Sequence, residues 1–246
     1  MEKVPEFFRF SPLLIVAAVA AEIQDAFSDW SSLAVERLPI GELVLAGPQV
    51  AALVTGVGMA RSAAATALAL SRRDYAALLH AGVGGAYPGC QLQTGDLAAA
   101  ASECDPQSGI VTPDGYQDLG GLGFPLTRAF PNRLAFDSPW AAWMARQVAP
   151  APRLPFATVQ CCSGTDAAAE AMSARSAAAV ENMEGLAVAW TAAQFGVPYA
   201  ALRAISNFTG DRDRQQWDFP AARAALARGV KAILDAVAAE SGQGCW

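Results

Sequence analysis

Histidine is nearly absent from this chain of 246 residues: His80 stands alone, and one imidazole cannot by itself build a metal cluster. The five cysteines, Cys90, Cys104, Cys161, Cys162 and Cys245, lack the paired short spacings of a zinc site, and their odd number closes no disulfide framework. Reduced thiols and no bound metal or cofactor are the expectation. Charge is also scarce, at 16% of residues with a formal net charge of −6, so there is no basic stripe to neutralise a nucleic-acid backbone. No apolar run reaches the roughly 20 residues that cross a bilayer; 13–21 comes nearest, and the preceding Glu2, Lys3, Glu6 and Arg9 lack the uniformly basic character of a secretory leader. Two glycine passages, Gly56-Val57-Gly58 and Gly82-Val83-Gly84-Gly85, fall short of the dinucleotide fingerprint. Arg61 and Tyr87 stand where its third glycine would be, and neither passage carries the Gly-Lys-Ser/Thr of a phosphate loop. These absences point to a cytoplasmic protein whose partners are a small molecule and further copies of itself, with no nucleic acid and no membrane.

What the chain has is core. Hydrophobic residues make up 53% of it, and a chain of this length buries about 70 to 75% of its extended surface. Buried strands are expected at 13–19, 75–79 and 199–205, weak ones at 33–38 and 42–45, a stronger one at 49–54, and further ones at 94–101 and 155–162. Helical patterns cover 22–30, 59–70, 140–148, 167–174 and 220–239. The alternation of the two without repeat or linker implies an α/β fold of one domain, a central mixed and curved sheet flanked by helices, with 1–11 as a flexible N-terminal extension. Segment 104–131, polar and rich in turn residues, resists assignment and is a candidate lid.

Chemistry concentrates in Val180-Glu181-Asn182-Met183-Glu184-Gly185 and, after an apolar stretch, Arg203-Ala204-Ile205-Ser206-Asn207. If the first stretch opens a helix, Glu181 and Glu184 share a face. Ser206 and Asn207 fall at the C-terminal end of a buried strand, where open α/β sheets expose ligand-binding groups. By strand alternation Arg203, Ile205 and Asn207 share one face, leaving Arg203 either an ion-pair former or a lining group. A carboxylate between Met183 and Gly185 in so apolar a setting needs hydroxyl or amide partners.

These residues resemble the purine nucleosidase and nucleoside phosphorylase superfamily, whose Met-Glu pair grips the ribose hydroxyls and whose Asp or Asn beyond the next strand reads the purine. The resemblance extends from the first strand through the Trp217 region and implies a nucleoside phosphorylase-like fold. It assigns ribose binding to Met183 and Glu184, activation of the attacking water to Glu22, and base binding to Ala81, Gly82, Gly84 and Asn207. Asn207 in place of Asp implies a 6-oxopurine, hence hypoxanthine release from a 5′-substituted inosine rather than adenine release from methylthioadenosine or adenosylhomocysteine. His80 at the strand end, and no arginine between 13 and 34, depart from the cationic clamp of phosphorylases and imply water as acceptor; Arg61 keeps phosphorolysis as a lesser reading. Arg212, Arg214 and Trp217 form a candidate clamp for a carboxylated 5′ tail. The base-stacking aromatic is left open among Phe156, Phe208 and Tyr116. A nucleoside-binding protein without catalysis is the reading from another class.

Overall fold

The computed structural model describes residues 12–126, 132–212 and 217–241; the proposed N-terminal extension 1–11 lies outside them. The first strand, β1 (Leu13–Ala17), is apolar at every position and wholly buried. It lies between β4 (Val50–Val54) and β5 (Ala77–Ala86), both parallel to it. β2 (Ala34–Arg37) and β3 (Glu42–Leu45) finish that edge antiparallel. On the other side β5 pairs in parallel with β12 (Tyr199–Phe208), and β12 pairs antiparallel with β6 (Leu97–Cys104). β10 (Arg153–Thr158) and β11 (Val180–Asn182) follow, parallel to β6.

β11 then returns to the far half of β5, setting Val180 opposite Ala86 and Glu181 opposite Gly85. β5, β12, β6, β10 and β11 thereby close into a partial barrel, while β1 to β4 extend as an open wing. Helices cover the sheet as expected. α2 (Met59–Arg72) packs on α5 (Gly185–Gln194), and α6 (Phe219–Ser241) packs across β12 and β5. α3 (Pro139–Gln147) buries Trp140, whose indole N–H finds the Leu78 carbonyl at 2.9 Å, so the ring fills core without stranding its donor.

Several expectations are corrected. The helix expected over 22–30 is a single turn, α1 (Ala20–Ile23), continued by two 3₁₀ turns, because Phe27 turns extended and buries its ring against Trp30, 5.2 Å away. Segment 104–131 is not wholly irregular: β7 (Gly109–Thr112) and β8 (Gly115–Asp118) form a hairpin across the two residues Pro113 and Asp114. β9 (Arg133–Ala135) adds antiparallel to β6. Most consequential for the site, 180–182 is a strand and not the opening of a helix. Asn182 ends it by accepting from the backbone N–H groups of Glu184 and Gly185 at 3.1 and 2.6 Å, a local turn that competes with continued strand. Glu181 and Glu184 therefore do not share a helix face.

Candidate active site

Glu22 follows β1 at its C-terminal end. Its carboxylate accepts three backbone N–H groups, from Ala18 at 3.1 Å and Val19 at 3.2 Å on one oxygen and from Val83 at 2.9 Å on the other. Burial nevertheless pushes its pKa above the ordinary carboxylate value, against the lowering effect of these bonds and of Arg203. Gly82 is what lets β5 pass so close: a Cβ there would lie 2.9 Å from Glu22 Oε1 and 3.5 Å from Arg203 Nη1. A side chain there would displace the Glu22 carboxylate.

Glu184 reaches the same place from the opposite direction. It is 8% exposed, and its carboxylate accepts the Gly58 N–H at 2.8 Å, at the start of α2. Burial raises its pKa first of all, and the charge of Glu22 raises it further, which sets the two carboxylates in one electrostatic neighbourhood. Met183 beside it is half-buried. Gly58, from the first of the two glycine passages, is the residue tied to Glu184.

Arg203 lies beneath both, 1% exposed. It donates to the carbonyls of His80 and Leu202, each at 3.2 Å, and to Asn182 Oδ1 at 3.4 Å, and meets the His80 ring at 3.1 Å. Its Nε has no partner. His80 also contacts the Tyr199 hydroxyl at 3.2 Å, and burial followed by the Arg203 charge holds it well below its usual pKa, hence neutral. The single histidine is thus a core partner of Arg203.

On the base side, a bulge at Ser206 sets Asn207 opposite Gly85 and interrupts the alternation expected to align it with Arg203. Ser206 Oγ donates to Asn207 Oδ1 at 2.9 Å and Asn207 Nδ2 to the Phe208 carbonyl at 3.0 Å, leaving one amide N–H uncommitted. Of the expected base floor, Ala81 is wholly buried, Gly82 faces Glu22, and Gly84 packs on Val180. Gly85, beside Asn207, is the neighbour that sequence reasoning passed over. Among the candidate stacking rings Phe156 is core and Tyr116 lies under Arg175, whereas Phe208 is exposed next to Asn207.

Glu181 anchors the adjoining loop: its carboxylate accepts from Ser163 N at 2.9 Å, Ser163 Oγ at 2.5 Å and Tyr87 Oη at 2.8 Å. Thr165 caps α4 (Asp166–Ser176). The backbone N–H of Asp166 donates to the Asp211 carboxylate at 3.1 Å and that of Asp211 to the Asp166 carboxylate at 3.0 Å, pinning the loop that carries Arg212 over the Trp217 ring at 5.6 Å. Arg214 lies outside the described residues. The candidate lid approaches the start of α5, where Asp105, Leu119 and Leu126 border a cavity of about 250 Å3 with Leu186 and Trp190. Two residues at the centre escaped the sequence reading, Glu103 and Thr158. The signal for Glu103 was a lone acid closing an alanine-rich strand, which burial makes costly without partners.

A profile of the Phosphorylase superfamily matches residues 16–239. A futalosine hydrolase of Acidothermus cellulolyticus is 35% identical over 226 residues, 89% of this chain and 89% of that protein. One from Thermus thermophilus is 33% identical, over 74% of this chain and 80% of its own. In fold the chain is similar to the 5'-methylthioadenosine/S-adenosylhomocysteine nucleosidase of Neisseria meningitidis in complex with methylthio-immucillin-A, with a TM-score of 0.76 and 19% identity over 91% of this chain and 98% of that one. It is equally similar to the futalosine hydrolase of Helicobacter pylori, at a TM-score of 0.76 and 18% identity over 92% and 98%. Among the described residues no helix is long and apolar enough to cross a membrane.

Proposed function

This chain belongs to the Phosphorylase superfamily and, within it, to the futalosine hydrolases, and from that premise we propose that it cleaves the N-glycosidic bond of futalosine with water, giving hypoxanthine and dehypoxanthine futalosine, a step of menaquinone biosynthesis. The observation that carries the reading is Glu22, a carboxylate fixed by three backbone N–H groups beside Glu184 and Arg203. Such a group has no rotamer to search before accepting a proton, and a raised pKa suits it to general-base work near neutrality.

Water between Glu22 and the anomeric carbon gives its proton to Glu22 as the C–N bond breaks. Glu184 and Met183 hold the ribose, the carboxylate accepting from its hydroxyls while positive charge develops on the ring. The water oxygen bonds to the anomeric carbon, and the uncommitted N–H of Asn207 donates a hydrogen bond to the purine as it leaves with the bonding pair, with Gly85 and the neighbouring backbone of β5, from Ala81 to Gly84, as its floor; the purine anion takes a proton from solvent to become hypoxanthine, and Glu22 returns its proton to solvent. Phe208 is the ring placed to stack on the base, and Arg212 with Trp217 takes the carboxylated tail. The Nη groups of Arg203, committed to the His80 and Leu202 carbonyls and to Asn182, support water over phosphate as the acceptor. Exposed Val57, Val111 and Phe124 support self-association, and free thiols at Cys90, Cys104, Cys161 and Cys162 support a cytoplasmic setting.

A substrate panel tests the reading: futalosine, aminofutalosine and methylthioadenosine, each with and without inorganic phosphate, followed by release of hypoxanthine or adenine. Hypoxanthine from futalosine at a rate independent of phosphate is expected. Strict dependence on phosphate, or faster adenine release from methylthioadenosine, refutes it.

A further inference from the structure

The most deeply buried carboxylate of the site has no part in the steps above. Glu103, at the end of β6, is 0% exposed, and every contact it makes is with a donor. Thr158 Oγ1 donates to it at 2.8 Å, and Asn182 Nδ2 lies 3.1 and 3.2 Å from its two oxygens. An ionised carboxylate only accepts, so these contacts dictate the polarity of both neighbours. The Asn182 amide must turn its NH2 group to Glu103 and to the Ala157 carbonyl, 3.1 Å away, which aims Oδ1 at the N–H groups of Glu184 and Gly185, 3.1 and 2.6 Å away. The Thr158 hydroxyl, its O–H donating to Glu103, offers a lone pair to the Leu186 N–H at 2.7 Å.

Three consecutive N–H groups at the start of α5 are the orphan donors that every helix leaves at its N-terminus. The N-cap residue usually satisfies such donors with its own side chain. Here the N-cap is Glu184, and its side chain makes no capping bond; it turns instead to the Gly58 N–H. Capping has been transferred to Asn182 and Thr158, both oriented by Glu103, and that transfer leaves the Glu184 carboxylate available to a ligand. The packing leaves no slack: a Cβ on Gly185 would lie 1.9 Å from Glu103 Oε1.

We propose that Glu103 is a positioning residue for the ribose grip, acting through Asn182 and Thr158 to hold the Glu184 backbone while leaving its carboxylate free. The inference rests on the nucleoside reading given above. The test measures equilibrium binding of inosine and of 2′,3′-dideoxyinosine by titration calorimetry, on the full chain carrying Glu22→Gln so that cleavage is slow against the titration, with release of hypoxanthine checked at its end. In that parent, inosine is expected to bind at least about 30-fold tighter, because only it presents hydroxyls to Glu184. Adding Glu103→Gln or Thr158→Val is expected to cut the preference to within about 5-fold by weakening inosine, with dideoxyinosine unchanged within about 2-fold, whereas Thr158→Ser, which restores the hydroxyl, keeps it.

A merely structural role predicts something else: a lower melting temperature in both variants with the ribose preference intact, and that result overturns the proposal. If Glu103→Gln does not fold, Thr158→Val, nearly isosteric, decides alone. If the parent binds both nucleosides equally, Glu184 does not grip the hydroxyls and the role of Glu103 falls with it. If the parent binds neither, the nucleoside reading itself fails, an outcome distinct from a parent that discriminates and variants that still do.

Discussion

Replacing Glu22 by glutamine tests the centre of the mechanism, and its consequences can be worked out bond by bond. The carboxylate receives Ala18 and Val19 on one oxygen and Val83 on the other. A glutamine that sets its carbonyl oxygen toward Ala18 and Val19 keeps both of those bonds and turns its NH2 group against the Val83 N–H. One buried donor is then unsatisfied, at a cost of about 1–3 kcal/mol, offset by the removal of a carboxylate that burial disfavours. The protein therefore folds, and the ribose and base contacts are untouched. What disappears is the lone pair that takes the proton of the attacking water. Loss of a general base lowers turnover by about 10²- to 10⁴-fold, equivalent to about 3–5 kcal/mol in the barrier. The measurement is hypoxanthine release by chromatography under saturating futalosine, beside calorimetric titration of inosine. Expected are a turnover number down by at least about 100-fold and an affinity within about 3-fold of the parent's. A near-normal turnover number in a folded, nucleoside-binding Glu22→Gln protein refutes the role.

The other expectations follow from the same geometry. Gly82→Ala puts a Cβ 2.9 Å from Glu22 Oε1, so turnover should fall by roughly 10- to 100-fold with nucleoside affinity nearly kept; kinetics identical to the parent's would show that Glu22 need not sit where it does. Asn207→Asp removes the donor from the base and sets an acceptor against the Phe208 carbonyl, so hypoxanthine release from futalosine should drop by about 10-fold or more. An unchanged ratio of kcat/KM for futalosine and aminofutalosine would mean that Asn207 does not read the purine. Burial holds the folded-state pKa of Glu22 above its ordinary value of 4.5, so its contribution to stability is complete below that unfolded value and is lost as pH rises through the raised one. Melting temperatures of Glu22→Gln and parent, measured at pH 5 and pH 8, should therefore favour the variant more at pH 8, and a larger advantage at pH 5 would contradict the burial argument.

Glu184 was conspicuous as an acid between Met183 and Gly185, where burial is costly without partners, whereas Glu22, an ordinary first-turn acid by itself, was singled out only through the family resemblance. Desolvation cost is a local quantity, and a single sequence displays it. The strand Val180–Asn182 was not legible, since three residues are too few to establish a period and its pairing with β5 is made by residues nearly a hundred positions away. The bulge at Ser206 was hidden for a similar reason: alternation was read from Tyr199 onward, and the extra residue shows only against the partner strand. Glu103 demanded more still, because its partners Thr158 and Asn182 lie 55 and 79 residues further along the chain, and the alanines before it report only burial. Its role becomes visible when the closed half of the sheet brings β6, β10 and β11 side by side.

Charge explains why such a site favours a transition state over a resting ligand. Glu22, Glu103 and Glu184 all feel the one positive charge of Arg203, and all three have pKa values raised chiefly by burial. His80, held neutral, adds no second cation. One guanidinium cannot compensate three enclosed carboxylates, and removing charge from water without full pairing is costly. A neutral nucleoside in its ground state brings little to correct the imbalance. In the reaction proposed above, the ribose becomes cationic next to Glu184 while the bonding pair moves out onto the purine and Glu22 takes a proton from the attacking water, so positive charge develops beside the carboxylates and negative charge moves away from them. The carboxylates are held by backbone N–H groups and by the Thr158 and Asn182 bonds to Glu103, so little reorganisation is required when charge appears beside them. The same imbalance that disfavours the folded protein at high pH thus acts as a preference for the oxocarbenium-like state, and the carboxylate nearest that charge, Glu184, is the one whose backbone the buried network holds most tightly.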